Sequence, residues 1–344
     1  MRATSFAIPG DIDTPTGGFL YEKRLLLALR AQGRAVRHVV LPGSFPDPPP
    51  ADVARTVAIL RDLPQDRPVI LDGFIPGALD PAGLAQVRAP MVAIVHHPLA
   101  LEEGLSPARA AHLYRTERAN LARMAHVLVP SPHTRSILVE RYGVPAARIT
   151  VARPGVDRPA GPPAPADPPL ILSVGILHPR KGHDVLVSAL ARIRALDWQA
   201  VIVGAPWDAA HAASLRRRVE RLDLGRRVTL AGRVGTAELH RLYRAAHLFA
   251  LATRYEGYGI VFDEALAAGL PIVSCRTGAV PDTVPADAGS LVSPDDPRAM
   301  AAALATLLTD GDAHAARSAA ARRHGARLAE WSDTAAIVGA VLDA

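Results

Sequence analysis

Both halves of this 344-residue chain repeat one alternation: a short apolar run, then a longer stretch with helical periodicity. In the first half, residues 4–9, 36–41, 69–72, 90–96 and 126–130 read as buried strands. Amphipathic stretches such as 19–31 lie between them. In the second half, 170–175, 199–204, 228–231, 248–252 and 271–275 read the same way. Near-continuous apolar strands separated by helices demand parallel sheets with right-handed crossovers, an α/β architecture. The halves share this pattern without sharing a sequence.

Between the halves, residues 158–169 carry proline at a density that neither a helix nor a central strand accepts. We expect a first Rossmann-like domain over 1–158, a linker over 159–168 and a second Rossmann-like domain over 169–315. Residues 316–344 read as a C-terminal helix packing back towards the first domain. Two such sheets would face each other across an interdomain cleft at the carboxyl ends of their strands, where ligands of open α/β sheets bind.

Composition removes several classes. Aromatic residues are only 4% of the chain, too few for single-stranded nucleic-acid platforms, and no DNA-binding motif spacing occurs. No nucleic-acid partner is expected. The net charge of +6 permits anionic partners, or reflects a general preference for arginine: Lys23 and Lys181 are the only lysines. Cys275 is the sole cysteine and sits in an apolar run, as a structural thiol would. No secretory signal or membrane-spanning run is present, so a cytoplasmic location is expected. Peripheral contact with the inner membrane face stays open.

Four segments carry chemistry. The first, Arg254-Tyr255-Glu256-Gly257-Tyr258-Gly259, follows a strand and opens a helix that Gly269 and Pro271 stop. Its free N–H groups suit a diphosphate, and Gly257 and Gly259 let the backbone approach one. Glu256 and Glu264 could accept from sugar and ribose hydroxyls, or the loop is an ordinary turn and Glu264 a solvated helix residue. The second, Gly175-Ile176-Leu177-His178-Pro179-Arg180-Lys181-Gly182, brings two cations to a strand–helix turn. They could neutralise a diphosphate without a metal, or form a surface charge pair.

The third segment ends a strand with Gly17-Gly18 opening a helix, which permits phosphate or acceptor approach. Asp11 and Asp13 nearby mimic a metal motif, but two carboxylates without further ligands make a poor site. The fourth places His96 and His97 at a strand end, where histidine can bond sugar hydroxyls or move a proton. One of the two reads equally well as structural.

Together these segments resemble the retaining family-4 glycosyltransferases of the GT-B fold. Glu256 and Glu264, with seven residues between them, look like that family's paired glutamates. Gly175 to Gly182 looks like its diphosphate loop. Gly17-Gly18, His96, Pro130-Ser131, Pro154-Gly155-Val156-Asp157 and Gly278 to Asp282 fall in the family's order, out to Trp331. The resemblance implies that Arg180, Lys181, Gly17 and Gly18 hold the donor diphosphate. Glu256, Gly257, Tyr258 and Gly259 would hold the transferred sugar, Glu264 the ribose, and Gly232 and Arg233 the border of the base. His96 and Glu256 would stand at the catalytic centre. The chain departs from the family at Ile176, where many members carry arginine; Arg180 would be the replacement charge.

The implied partners are a nucleotide-diphosphate sugar of UDP-glucose or GDP-mannose type and a small-molecule, glycan or lipid-linked acceptor. The implied reaction is hexosyl transfer with retention and without a metal or other cofactor. Rival readings are a non-catalytic GT-B binding module and a nucleotide-sugar epimerase or phosphorylase. A phosphorylase would need a cofactor lysine, for which only Lys23 and Lys181 exist.

Overall fold

The computed structural model describes residues 1–14, 16–102 and 104–344; Pro15 and Glu103 lie outside the described residues. The chain forms two compact units, Met1–Gly155 with Ala329–Ala344, and Val156–Leu328.

The first unit contains, in chain order, β1 (Thr4–Pro9), α1 (Gly17–Ala31), β2 (Val36–Leu41), α2 (Pro50–Arg61), β3 (Val69–Leu71), α3 (Phe74–Ala78), α4 (Pro81–Leu84), β4 (Met91–Ile94), α5 (Pro107–Leu121), β5 (His126–Val129), α6 (Pro132–Glu140) and β6 (Ile149–Val151). Its six strands are parallel, in the order β2-β1-β3-β4-β5-β6. β1, β3 and β4 are buried throughout, which is why they read as unbroken apolar runs. From β1 the chain steps to β2 on one side and returns to β3 on the other. The loops after β1 and β3 therefore flank the crevice where the direction of winding reverses. Gly17 and Gly18 follow the first of these loops, and Asp72 begins the second.

The second unit contains β7 (Leu170–Val174), α7 (His183–Arg192), β8 (Gln199–Val203), α8 (Ala209–Arg221), β9 (Val228–Gly232), α9 (Thr236–Ala245), β10 (Ala246–Leu251), α10 (Ile260–Ala267), β11 (Ile272–Cys275), α11 (Val280–Thr283), β12 (Gly289–Val292), α12 (Pro297–Thr309) and α13 (Gly311–Gly325). This sheet is also parallel, in the order β12-β11-β10-β7-β8-β9. Leu186, Leu190, Leu215 and Leu304 pack over one face, and Tyr243, Phe262, Leu266 and Ala321 over the other. Winding reverses between β7 and β10, so the loops leaving those two strands form the crevice here.

The segment expected as one helix over 316–344 is two. α13 stops at Gly325, where a Cβ would lie 2.2 Å from the Leu266 carbonyl oxygen of α10. Arg158 Nη1 donates to the freed Gly325 carbonyl at 2.7 Å. A new helix, α14 (Trp331–Asp343), starts from a reciprocal capping box between Glu330 and Asp333. α14 belongs to the first unit: a Cβ on Gly155 would meet Trp331 N at 2.2 Å, and buried Arg34 pairs with Asp343 at 2.7 Å. The proline-rich stretch does not run free. Ala164 N and Ala166 N each donate to carbonyls at the end of α9, both at 2.9 Å, inside the second unit.

Cys275 is buried on β11, and burial pushes its thiol up to about 12, which keeps it protonated and inert. Among the described residues, no helix is long and apolar enough to cross a membrane.

Candidate functional site

In the second unit, the loops after β7 and β10 are stitched together at the crevice. Arg254 N donates to the Arg180 carbonyl at 2.8 Å. The Arg254 guanidinium bridges Asp184 at 2.9 Å and Asp295 at 2.8 Å. Gly182 joins the loops at their closest point, with φ +61°, and a Cβ there would lie 1.9 Å from the Ala252 carbonyl oxygen. Only glycine fits both the left-handed backbone and the space.

This stitching assembles Glu256, Lys181 and Arg180. Glu256 is almost fully buried. Lys181 Nζ donates to its Oε1 at 2.6 Å, and Arg180 Nη1 stands 3.7 Å from its Oε2. Thr253 Oγ1 lies 3.0 Å from Oε1 as well. Burial alone would raise this carboxyl. The two cations and the hydrogen bonds from Lys181 and Thr253 outweigh it, and Glu256 sits below its ordinary value. The loop backbone is fixed from the other side: Ala279 N donates to the Glu256 carbonyl at 2.8 Å, past Gly278 at φ +51°.

Gly257 and Gly259 flank Tyr258 in the loop that enters α10, and Gly259 takes φ +90° as its N-cap. Tyr258 turns inward, with its hydroxyl on Asp263, so only its backbone remains to meet a ligand. Glu264 lies one turn into α10 and accepts from Tyr243 OH at 2.6 Å. Gly232 and exposed Arg233 end β9, on the same sheet edge but two strands from β7. The structure therefore brings Arg180, Lys181 and Glu256 into contact, and sets Gly232 and Arg233 apart from them.

In the first unit, Thr16 caps α1, which places Gly17 and Gly18 in its first turn. Gly17 is exposed. Gly18 faces His96: a Cβ there would stand 3.3 Å from His96 Cδ2. His96, beyond the end of β4, keeps 27% of its side chain exposed, and its Nε2 lies 3.6 Å from Glu22 Oε1. The Tyr21 ring meets it edge-on at 5.1 Å. Burial holds His96 below the ordinary histidine value, against the pull of Asp72. His97 diverges to Glu102, at 3.2 Å. Asp13 pairs with Lys23, and Asp11 Oδ1 accepts from Asp13 N at 2.9 Å.

Two residues of this cluster, Glu22 and Asp72, belong to none of the four motif segments. Both left a signal. Glu22 interrupts the buried stripe of Tyr21, Leu25, Leu26 and Leu29 on α1, and Asp72 ends the apolar run Val69-Ile70-Leu71.

Residues 14–158 match the model of Glycosyltransferase Family 4, and residues 158–324 that of Glycosyl transferases group 1. The chain is 34% identical over 266 residues to a D-inositol 3-phosphate glycosyltransferase of Kineococcus radiotolerans, covering 69% of this chain and 60% of that relative. It is 34% identical over 229 residues to a GDP-mannose-dependent alpha-(1-6)-phosphatidylinositol monomannoside mannosyltransferase of Mycobacterium tuberculosis, covering 60% and 58%. The match thus spans about three fifths of the length of these relatives. Sucrose-phosphate synthase of Thermosynechococcus elongatus superposes with a TM-score of 0.81 at 22% identity over 99% of this chain and 98% of its own. Anabaena HepE, solved with UDP and glucose, superposes at 0.80 and 18% identity over 100% of both. Two adjoining family matches, carried on two parallel-sheet units of this topology, make the chain a member of glycosyltransferase family 4 with the GT-B fold.

Proposed function

We propose that the protein is a retaining glycosyltransferase that moves a hexose from a nucleotide-diphosphate sugar to an acceptor hydroxyl without a metal. The carrying observation is the contact of Lys181 and Arg180 with buried Glu256 at the crevice between β7 and β10. In this reading the donor diphosphate takes over the two cations. Glu256 then turns from an ion-pair partner into an acceptor for the sugar hydroxyls, aided by the backbone N–H groups that follow it. Glu264 accepts from the ribose, with Tyr243 fixing its carboxylate. Gly232 and Arg233 border the base, and Gly17 and Gly18 also hold the diphosphate.

The bond from the anomeric carbon to the diphosphate oxygen breaks through an oxocarbenium-like state. The acceptor oxygen bonds on the same face, and its proton passes to the leaving phosphate oxygen. Arg180 and Lys181 stabilise the charge that develops there. His96 is the further residue of the catalytic centre in this reading. The donor is of UDP-glucose or GDP-mannose type. The acceptor is a small molecule, glycan or lipid-linked polyol; the inositol phosphate and phosphatidylinositol mannoside in the relatives' names support a phosphorylated polyol.

Calorimetric titration of UDP, GDP and ADP into the protein and into Lys181→Ala tests the donor site. One nucleotide should bind, and bind more weakly to the variant. Binding of none would overturn the reading in favour of a non-catalytic module. NMR of the product with the matching donor sugar should show a retained anomeric configuration.

A further inference from the structure

Behind His96, the first unit buries two carboxyls that the proposed transfer does not use. Glu22 is fully buried on α1, and Asp72 nearly so beyond β3. No hydrogen bond of full geometry satisfies either oxygen of Glu22, although the Asp72 carboxyl adjoins them. His96 Nε2 is buried too, 3.6 Å from Glu22 Oε1. Phe74 N–H occupies Asp72 Oδ1 at 2.7 Å. An apolar residue at position 22 would continue the stripe of α1 at no desolvation cost, so the acid needs a reason.

We propose that Glu22 and Asp72 form a proton-sharing pair that positions His96, holding Nε2 as an N–H donor towards Glu22 and leaving Nδ1 as the lone-pair nitrogen. Adjoining buried carboxyls cannot both ionise, so the pair retains a proton at neutral pH. Burial pushes Glu22 up to about 8, and burial together with Glu22 pushes Asp72 up. The His96 ring, disfavoured as a cation by burial, is neutral and carries one N–H. With the shared proton held between the two carboxyls, Glu22 Oε1 is left as an acceptor facing Nε2 at 3.6 Å, which puts the ring proton on Nε2.

The ring cannot swing away. Gly18 lies alongside, where a Cβ would come within 3.3 Å of His96 Cδ2, and Tyr21 stands edge-on. Tyr21 is itself anchored by its hydroxyl on the Ala152 carbonyl at 2.9 Å and by the Trp331 ring at 5.6 Å. Among the described residues, the titratable groups set against His96 include Glu22 and Tyr21 from α1 and Asp72 from beyond β3. The adjacent His97 is engaged with Glu102. If the proposed function holds, the Nδ1 lone pair accepts from a substrate hydroxyl; that consequence rests on the transferase reading, whereas the tautomer does not.

The test is 1H–15N spectroscopy of the full-length protein labelled at histidine, with His96 assigned by its loss in His96→Asn. The expected result is a neutral Nε2–H tautomer at pH 7. In Glu22→Gln and Asp72→Asn the nitrogen shifts and the ring titration should move. An Nδ1–H tautomer in the unmodified protein overturns the proposal without any variant. Unchanged His96 shifts in both variants overturn it as well. For turnover, Glu22→Gln should lower kcat on the order of 100-fold while donor KM and nucleotide affinity hold, because only the geometry of one group is lost. Glu22→Asp should recover part of the rate. Absence of turnover with any donor sinks the transferase reading while the tautomer result still decides this one. Turnover with His96 unmoved in both variants sinks this inference alone.

Discussion

Lys181 Nζ and Glu256 Oε1 lie 2.6 Å apart, and the ammonium is the main electrostatic compensation of the buried carboxylate. The pair occupies the place where the proposed diphosphate binds. Lys181→Ala therefore removes a ligand group and takes its main charge partner from a buried carboxylate, leaving Arg180 at 3.7 Å and Thr253 at 3.0 Å. Stranding one partner of a buried pair costs about 3–5 kcal/mol. Thermal and urea unfolding should show a loss of that order in Lys181→Ala, and adding Glu256→Gln should restore most of it. Nucleotide binding should stay lost in the double variant. A double variant no more stable than Lys181→Ala would show that the loss does not come from an uncompensated Glu256 carboxylate.

Arg180 and Lys181 supply two positive charges where many phosphoryl-leaving reactions use a divalent ion. Turnover should be unchanged by EDTA and unstimulated by magnesium or manganese. Loss of activity on chelation, restored by one metal, would contradict the assignment of charge neutralisation to these side chains.

Glu264 is proposed to read the ribose, and its carboxylate is held by Tyr243 at 2.6 Å. Glu264→Gln replaces a charged acceptor by a neutral one, and hydrogen bonds to charged groups are worth about 1.5–3 kcal/mol. Nucleoside diphosphate affinity should fall roughly 10-fold or more, while pyrophosphate affinity holds. Equal weakening of both ligands in calorimetry would place Glu264 outside the ribose site. Tyr243→Phe should produce a smaller effect in the same direction.

Much of this arrangement could be read from the sequence because both sheets are parallel and buried on two faces. Their strands then appear as apolar runs, and the residues just beyond each run fall at the crevice. Arg180, Lys181, Glu256 and His96 all carry that positional signature. What stayed hidden depends on packing between distant segments. Glu22 resembles any charged residue on an amphipathic helix until Asp72 and His96, from other strands, surround it. The break between α13 and α14 arises because Gly325 presses on Leu266, and nothing local marks Gly325 as more than a permissive helix residue. Tyr258 sits in a loop motif that suggests ligand contact, yet its hydroxyl is turned onto Asp263.

Buried acids give the protein a pH dependence of defined sign. Burial pushes Glu117 on α5 up from 4.5 to about 8, against the opposing pull of the Leu99 N–H and the Tyr142 hydroxyl nearby, and Glu22 is raised similarly. Between those values the folded state holds protons that the unfolded chain releases. The associated stability is fully present below about 4.5 and is lost as pH rises through about 8. Glu117→Gln should flatten the fall in stability over that window by an amount on the order of a few kcal/mol. His183, buried and lowered to about 4, acts in the opposite sense: its contribution is present above its ordinary 6.5 and is lost as pH falls through about 4. Unfolding followed at several pH values separates the two, because only the Glu117 variant changes the alkaline limb. An unaltered slope in Glu117→Gln would mean that this carboxyl ionises freely inside the fold.

Gly182 and Gly278 tie the chemistry to the backbone. Both hold φ in the left-handed region, at +61° and +51°, and both press against carbonyl oxygens that flank Glu256 in the β10 loop. A Cβ on Gly182 would stand 1.9 Å from the Ala252 oxygen, and one on Gly278 would stand 2.3 Å from the Glu256 oxygen. Neither neighbour is a flexible side chain that could move aside, so Gly182→Ala and Gly278→Ala must displace the loop. Each should lose nucleotide binding although no proposed ligand group has been removed. Gly17→Ala provides the contrast: a Cβ there meets nothing within 4 Å, and α1 tolerates alanine. Its fold stability should hold or rise slightly, since alanine within a helix is favoured over glycine by about 1 kcal/mol. Calorimetry and thermal unfolding of the three variants side by side give the comparison. Retention of full nucleotide affinity in Gly182→Ala would show that the contact between the two loops is not what sets the diphosphate site.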